Sequence, residues 1–123
     1  MENINAFAFY GSLRRGMENH TLHAHQLEYL FSARLRGYQL YSRGGFPIAV
    51  KSPSSTNSIV VEVFKIVDRP TIEMIHKLEM DEGYILERLT VDNIQANIYL
   101  YENAKNYPLV ESGDWVTFFR ETN

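Results

Sequence analysis

A chain of 123 residues with 45% apolar and 22% charged residues has the composition of a folded protein with one core, not of a disordered segment. Its formal charge of −3 provides no basic field for binding nucleic-acid phosphates, so nucleic acid is not an expected partner. The absence of cysteine excludes disulfides, thiolate metal sites and cysteine nucleophiles, and it suits a reducing compartment.

Met1 to Asn5 holds no basic segment ahead of an apolar run, and no stretch reaches the length needed to span a bilayer. A single domain over residues 1–123, a cytoplasmic location and no membrane partner are therefore expected. Ala6-Phe7-Ala8-Phe9-Tyr10 predicts a buried strand stopped by Gly11, and Gly11 to Gly16 a loop. From Asn19 to about Leu30, with Leu22, Leu27 and Leu30 apolar, the pattern predicts an irregular helix capped by Asn19.

Phe31 to Tyr41 alternates around Gly37 and predicts half-buried strand with a bend or bulge. Gly44-Gly45-Phe46-Pro47 is expected to leave regular structure, because two glycines loosen the backbone and proline lacks a donor. After the polar connection Ser52 to Asn57, Ile59-Val60-Val61-Glu62-Val63-Phe64 is the strongest strand signal, expected at the centre of the sheet.

Asp68 can cap a helix and Pro70 can open one, so Pro70 to Met80 is predicted helical with Ile72, Ile75 and Leu78 facing inward and Gly83 ending it. Leu86 to Val91 and Ile94 to Tyr101 predict a hairpin around Asp92-Asn93. Trp115 to Phe119 predicts a last strand after Ser112-Gly113-Asp114. Many strands with two short helices define an α+β fold, mixed and mainly antiparallel, with the sheet expected to curl into a small barrel that covers its edges.

Two segments carry residue types suited to chemistry. Tyr10-Gly11-Ser12-Leu13 puts a glycine and a hydroxyl where a buried strand ends, so successive backbone N–H groups can converge on a carboxylate; the same four residues also describe a plain tight turn. Glu79, Asp81 and Glu82 crowd the end of a helix, where like charges and the helix dipole discourage ionisation, so one of them could act as a base with a raised pKa; a solvated acidic helix end is the other reading. Of His20, His23 and His25, only the first two share a helical face, and with no cysteine no metal is expected. Ser12 lacks the Gly-x-Ser-x-Gly elbow of a serine hydrolase.

Together the motifs resemble the gamma-glutamylcyclotransferase-like family, which includes plant avirulence-induced proteins. The carriers are Phe9-Tyr10-Gly11-Ser12-Leu13-Arg14, Gly45-Phe46-Pro47, Val61-Glu62-Val63-Phe64, Leu78-x-x-x-Glu82-Gly83 followed by Arg88, and Glu111-Ser112-Gly113-Asp114-Trp115. The resemblance implies release of 5-oxoproline from a small gamma-glutamyl substrate, an amine or peptide, with no cofactor. It implies Glu82 as the general base turned acid, backbone groups of Tyr10, Gly11, Ser12 and Leu13 around the glutamyl end, and Arg88 in a neighbouring structural or anion-facing role. Glu79 stands where the family usually has aspartate, and Leu86 where it often has tyrosine. A protein of the same fold that binds a carboxylate-bearing metabolite without turnover is the alternative, and the missing tyrosine favours it.

Overall fold

The computed structural model describes residues 4 to 122; Met1 to Asn3, which belong to the N-terminal segment discussed above, lie outside them. Its centre is strand β1 (Ala6–Phe9), all four residues buried, so the sheet is covered on both faces there. A loop leads to a short helix α1 (Glu18–His23) and a 3₁₀ turn (Ala24–Gln26), then to the long strand β2 (Glu28–Arg36). The predicted helix over Asn19 to Leu30 is thus half as long as expected, and Leu27 to Leu30 leads into strand. Met17 takes the cap position without a side-chain bond, while Asn19 sits inside the helix.

Gly37, at φ +83°, makes the expected bend between β2 and β3 (Tyr38–Arg43). The segment expected to be irregular is in fact a hairpin: β4 (Phe46–Lys51) includes Phe46 and Pro47 and pairs with β3 from Arg43–Phe46 to Tyr38–Lys51. Only Gly44 and Gly45 are left to turn. Pro47 is accommodated because this two-stranded sheet leaves one side of β4 without a ladder partner along most of its length.

Strand β5 (Ser58–Lys65) pairs antiparallel with both β1 and β2. Helix α2 (Arg69–Asp81) follows, and its start is as expected: the Asp68 carboxylate accepts from the Thr71 N–H at 3.1 Å and the Thr71 hydroxyl at 2.6 Å. Strands β6 (Ile85–Val91) and β7 (Ile94–Leu100) form the predicted hairpin, with Asp92 at φ 48° and Asn93 at φ 68°, the left-handed pair that a two-residue hairpin turn requires. The strand order is β2-β5-β1-β7-β6, with the β1–β7 pair parallel and the other pairs antiparallel.

The fold is therefore mixed α+β as expected, but the sheet does not close into a barrel, since β2 and β6 end the order at opposite edges. The β3–β4 hairpin folds over the sheet: Leu40 and Ile48 lie in the same buried cluster as Ile59, Val61 and Val63 of β5. It is tied down by the Tyr101 N–H to the Ala49 carbonyl at 2.9 Å and the Val110 N–H to the Leu40 carbonyl at 2.8 Å. The predicted last strand is instead helix α3 (Trp115–Thr122), which makes three α-helices among the described residues. Asp114 starts it, accepting from the Thr117 N–H at 3.3 Å, and Trp115 is buried in the core. Among the described residues, no helix is long and apolar enough to cross a membrane.

Candidate active site

The loop after β1 is built from local turns and a buried ion network. The Arg14 N–H bonds the Gly11 carbonyl at 3.0 Å and the Met17 N–H bonds the Arg14 carbonyl at 3.1 Å, which folds Gly11 to Met17 into two tight turns. Arg14, itself buried, donates from Nε to Glu62 Oε2 at 2.9 Å and from Nη1 to Asp114 Oδ1 at 2.8 Å. Glu62 also receives the Arg15 N–H and Nε on its other oxygen. Burial alone would raise the Glu62 carboxyl, but these donors from Arg15 and Arg14 outweigh it and hold the group below its ordinary pKa. One strand, one loop and one helix start are thereby locked to each other.

The locked loop forms one wall of a cavity of about 220 Å³. Tyr10, Gly11, Ser12 and Leu13 line it, and among the described residues no hydrogen bond engages the backbone N–H of Ser12 or Leu13. Ser12 is held from behind: its Oγ accepts from Asn19 Nδ2 at 2.8 Å and its carbonyl from the His20 N–H at 3.1 Å. Gly11 is required for space, because a Cβ there would lie 2.7 Å from Pro47 Cγ of β4. A pair of free, fixed N–H groups at a cavity wall suits an anionic oxygen.

The opposite wall is helix α2. Thr71 and Ile75 are its buried residues, and the same four-residue step continues to Glu79, so the inner stripe ends in a carboxyl. Leu78, expected to face the core, is 57% exposed and stands in the cavity wall with Met74 and Phe46. Burial, and secondarily the charge of Glu82, raises the Glu79 carboxyl to about 7. No lysine or arginine among the described residues forms an ion pair with it.

Glu82 sits just past the end of α2 and also lines the cavity, with its side chain 56% exposed. Its position is fixed through its carbonyl, which accepts from the Tyr101 hydroxyl at 2.6 Å and from Arg43 Nη1 at 3.1 Å. Arg43 Nη1 lies 3.9 Å from Glu82 Oε2. Gly83, at φ +94°, then turns the chain so that Tyr84 enters the cavity wall, where its hydroxyl donates to the Pro47 carbonyl at 2.6 Å. The Tyr10 hydroxyl donates to the Tyr99 carbonyl at 2.6 Å and accepts from the Ala49 N–H at 3.2 Å. Burial raises Tyr10, Tyr84 and Tyr99, so all three stay neutral across the physiological range.

Of the residues singled out in the sequence, Tyr10, Gly11, Ser12, Leu13 and Glu82 come together around one cavity. Arg88 does not. It lies on β6 in a separate groove with Arg69, His76, Leu86 and Asn97. Leu86, the residue in place of a tyrosine, belongs to that groove too and does not line the cavity of Glu82, although Tyr99 lines both. The inward place of Glu79 and the contributions of Tyr99 and Phe46 were not read from sequence; the step from Thr71 through Ile75 to Glu79 was the available signal for the first. His23 lines the cavity, and His20 packs on Phe64 at 5.4 Å between ring centres.

A family model described as gamma-glutamyl cyclotransferase, AIG2-like, matches residues 7–117. The chain belongs to that family. A Vibrio cholerae protein provisionally named a gamma-glutamylcyclotransferase is 36% identical over 110 residues, 86% of this chain and 90% of the relative. A Pyrococcus horikoshii protein with the same provisional name is 31% identical over 108 residues, 88% of each chain. Its crystal structure superposes with a TM-score of 0.80 over 98% of this chain and 96% of that one. A mouse AIG2-like protein of 19% identity shares the fold, at a TM-score of 0.72 over 92% of this chain and 90% of that chain. Within this gamma-glutamylcyclotransferase-like family, the matched region takes in the whole cavity, from Ala8 to Tyr99.

Proposed function

We propose that this protein is a gamma-glutamylcyclotransferase that closes the glutamyl group of a small gamma-glutamyl amine or peptide into 5-oxoproline. The observation that carries this reading is the meeting of Glu82 with the Gly11-Ser12-Leu13 loop across one cavity. The free N–H groups of Ser12 and Leu13 hold the carboxylate of the glutamyl end. Glu82, more than half exposed at the helix end, takes the proton that the α-amine loses as it attacks the γ-carbonyl. Because nucleophile and carbonyl belong to one molecule, the walls contribute chiefly by keeping the substrate bent, a gain that reaches several kcal/mol in intramolecular reactions. The amine that departs must receive a proton in turn.

The rival reading, a binding protein without turnover, loses its main support, since Leu86 lies outside the cavity. The deciding experiment incubates the protein with a panel of gamma-glutamyl amino acids and gamma-glutamyl amines and measures 5-oxoproline, beside Glu82→Gln. Release by the native protein, reduced by a factor of about 100 or more in the variant, is expected for loss of an acid-base group. No release from any member of the panel, with product still raising the unfolding temperature, would return the rival reading.

A further inference from the structure

The cavity contains a second carboxyl for which the reading above has no task. Glu79 and Glu82 are three residues apart on one helical turn and both line the cavity, yet their surroundings differ. The Glu82 side chain is more than half exposed and faces Arg43. Glu79 is half-buried, without an ion-pair partner among the described residues, and ringed by neutral groups from three other segments. Those groups are Tyr10 after β1, Tyr84 before β6 and Tyr99 on β7; each feels the Glu79 charge, and burial keeps each phenol protonated. The remaining titratable group in the cavity wall is His23 on α1; His76, one turn before Glu79, is bonded through Nδ1 to the Tyr99 hydroxyl at 3.0 Å. Arg43 serves Glu82 and not Glu79.

Paired carboxyls whose surroundings separate their ionisation divide acid and base work between them. Resting on the cyclotransferase reading, we propose that Glu79 is the general acid of the reaction, donating the proton to the departing amine while Glu82 acts as the base. The α-amine lone pair forms the bond to the γ-carbon, and the proton shed by that nitrogen goes to the Glu82 carboxylate. The γ-amide C–N bond then breaks, its electron pair leaving with the nitrogen, which takes the proton of the Glu79 carboxyl and departs as a neutral amine. Glu82, now protonated, returns its proton to Glu79 through water, and both groups are as they began. Burial, which raises Glu79 to about 7, keeps that proton available near neutral pH.

A proton donor matters only when the leaving group needs one. The test therefore compares Glu79→Gln and Glu82→Gln on two substrates: a gamma-glutamyl alkylamine, whose amine cannot depart unprotonated, and gamma-glutamyl-p-nitroanilide, whose weakly basic aniline can. For Glu79→Gln we expect kcat on the alkylamide to fall by about 100-fold or more, with kcat on the anilide within a few fold of native. The native fall of kcat above about pH 7 on the alkylamide should also disappear in that variant. Glu82→Gln should lose both substrates. Equal activity of Glu79→Gln on both substrates, or an equal loss on both in a variant with the native circular dichroism spectrum, overturns the acid role and leaves the cyclotransferase reading standing. Absence of 5-oxoproline and p-nitroaniline from the native protein overturns that reading, and the acid role with it.

Discussion

At the scale of the residue, Glu79 shows how a cavity sets the chemistry of a group by what it withholds. Neither a cation nor full hydration compensates its charge, so ionisation costs more in the folded protein than in the unfolded chain. Unfolded, it ionises near its ordinary value of 4.5; folded, near 7. Between those values the native state holds a proton that the unfolded state has released, so its contribution to stability falls as pH rises through the window, and the full penalty stands above it. Replacing Glu79 by glutamine removes that titration. The variant should match the native protein at about pH 4 and exceed it by up to about 3 kcal/mol at about pH 8, as read from urea midpoints. A stability difference constant across that range would mean that Glu79 is not the desolvated acid described.

At the scale of the element, the ion network of Arg14, Arg15, Glu62 and Asp114 decides whether the substrate loop has one shape. It joins β5, the loop and the start of α3, three pieces distant in sequence. Removing Arg14 leaves Glu62 buried with only Arg15 to serve one of its oxygens. Arg14→Ala should therefore cost about 3 kcal/mol, the lower end of the range for breaking a buried pair. Because burial fails to outweigh their donors, Glu62 and Asp114 are held below their ordinary values. Their contribution is thus present above the unfolded pKa and lost as pH falls through the folded one. The variant should lose less stability than the native protein on acidification, and parallel acid titrations of the two would overturn this account.

At the scale of the whole molecule, one buried cluster draws on every strand and on α2 and α3, with Trp115 at 2% exposure inside it. We expect residues 1–123 to unfold as one domain. Trp115 is the only tryptophan in the sequence, so its emission should shift to the red in a single step that coincides with the loss of far-ultraviolet circular dichroism. Two separated transitions would instead divide the chain. What could be read from local sequence is what local physics fixes: the cap of α2 at Asp68, the left-handed turn at Asp92-Asn93, the strand through Val61 to Phe64, and the loop that follows β1. Where packing overrode the pattern, the reading failed. Trp115 to Phe119 has the β-favouring composition of a strand, yet a cap at Asp114 and burial of one aromatic face make it a helix. Phe46-Pro47 pairs with β3 because the hairpin has a free side, which no short stretch of sequence can reveal.

The sequence by itself determined β1, β5, α2 and the β6–β7 hairpin, the family motifs and the residue kinds available for proton transfer. The tertiary structure decided which of those residues meet. Periodicity placed Leu78 inward, but the cavity opens over Leu78 and Met74 while Thr71, Ile75 and Glu79 face the interior. The fold also set Arg88 in another groove, together with Leu86, two residues away on the same face of β6. A side chain's solvation and charged neighbours come from segments far along the chain, and those are what separate one carboxyl as an acid from another as a base.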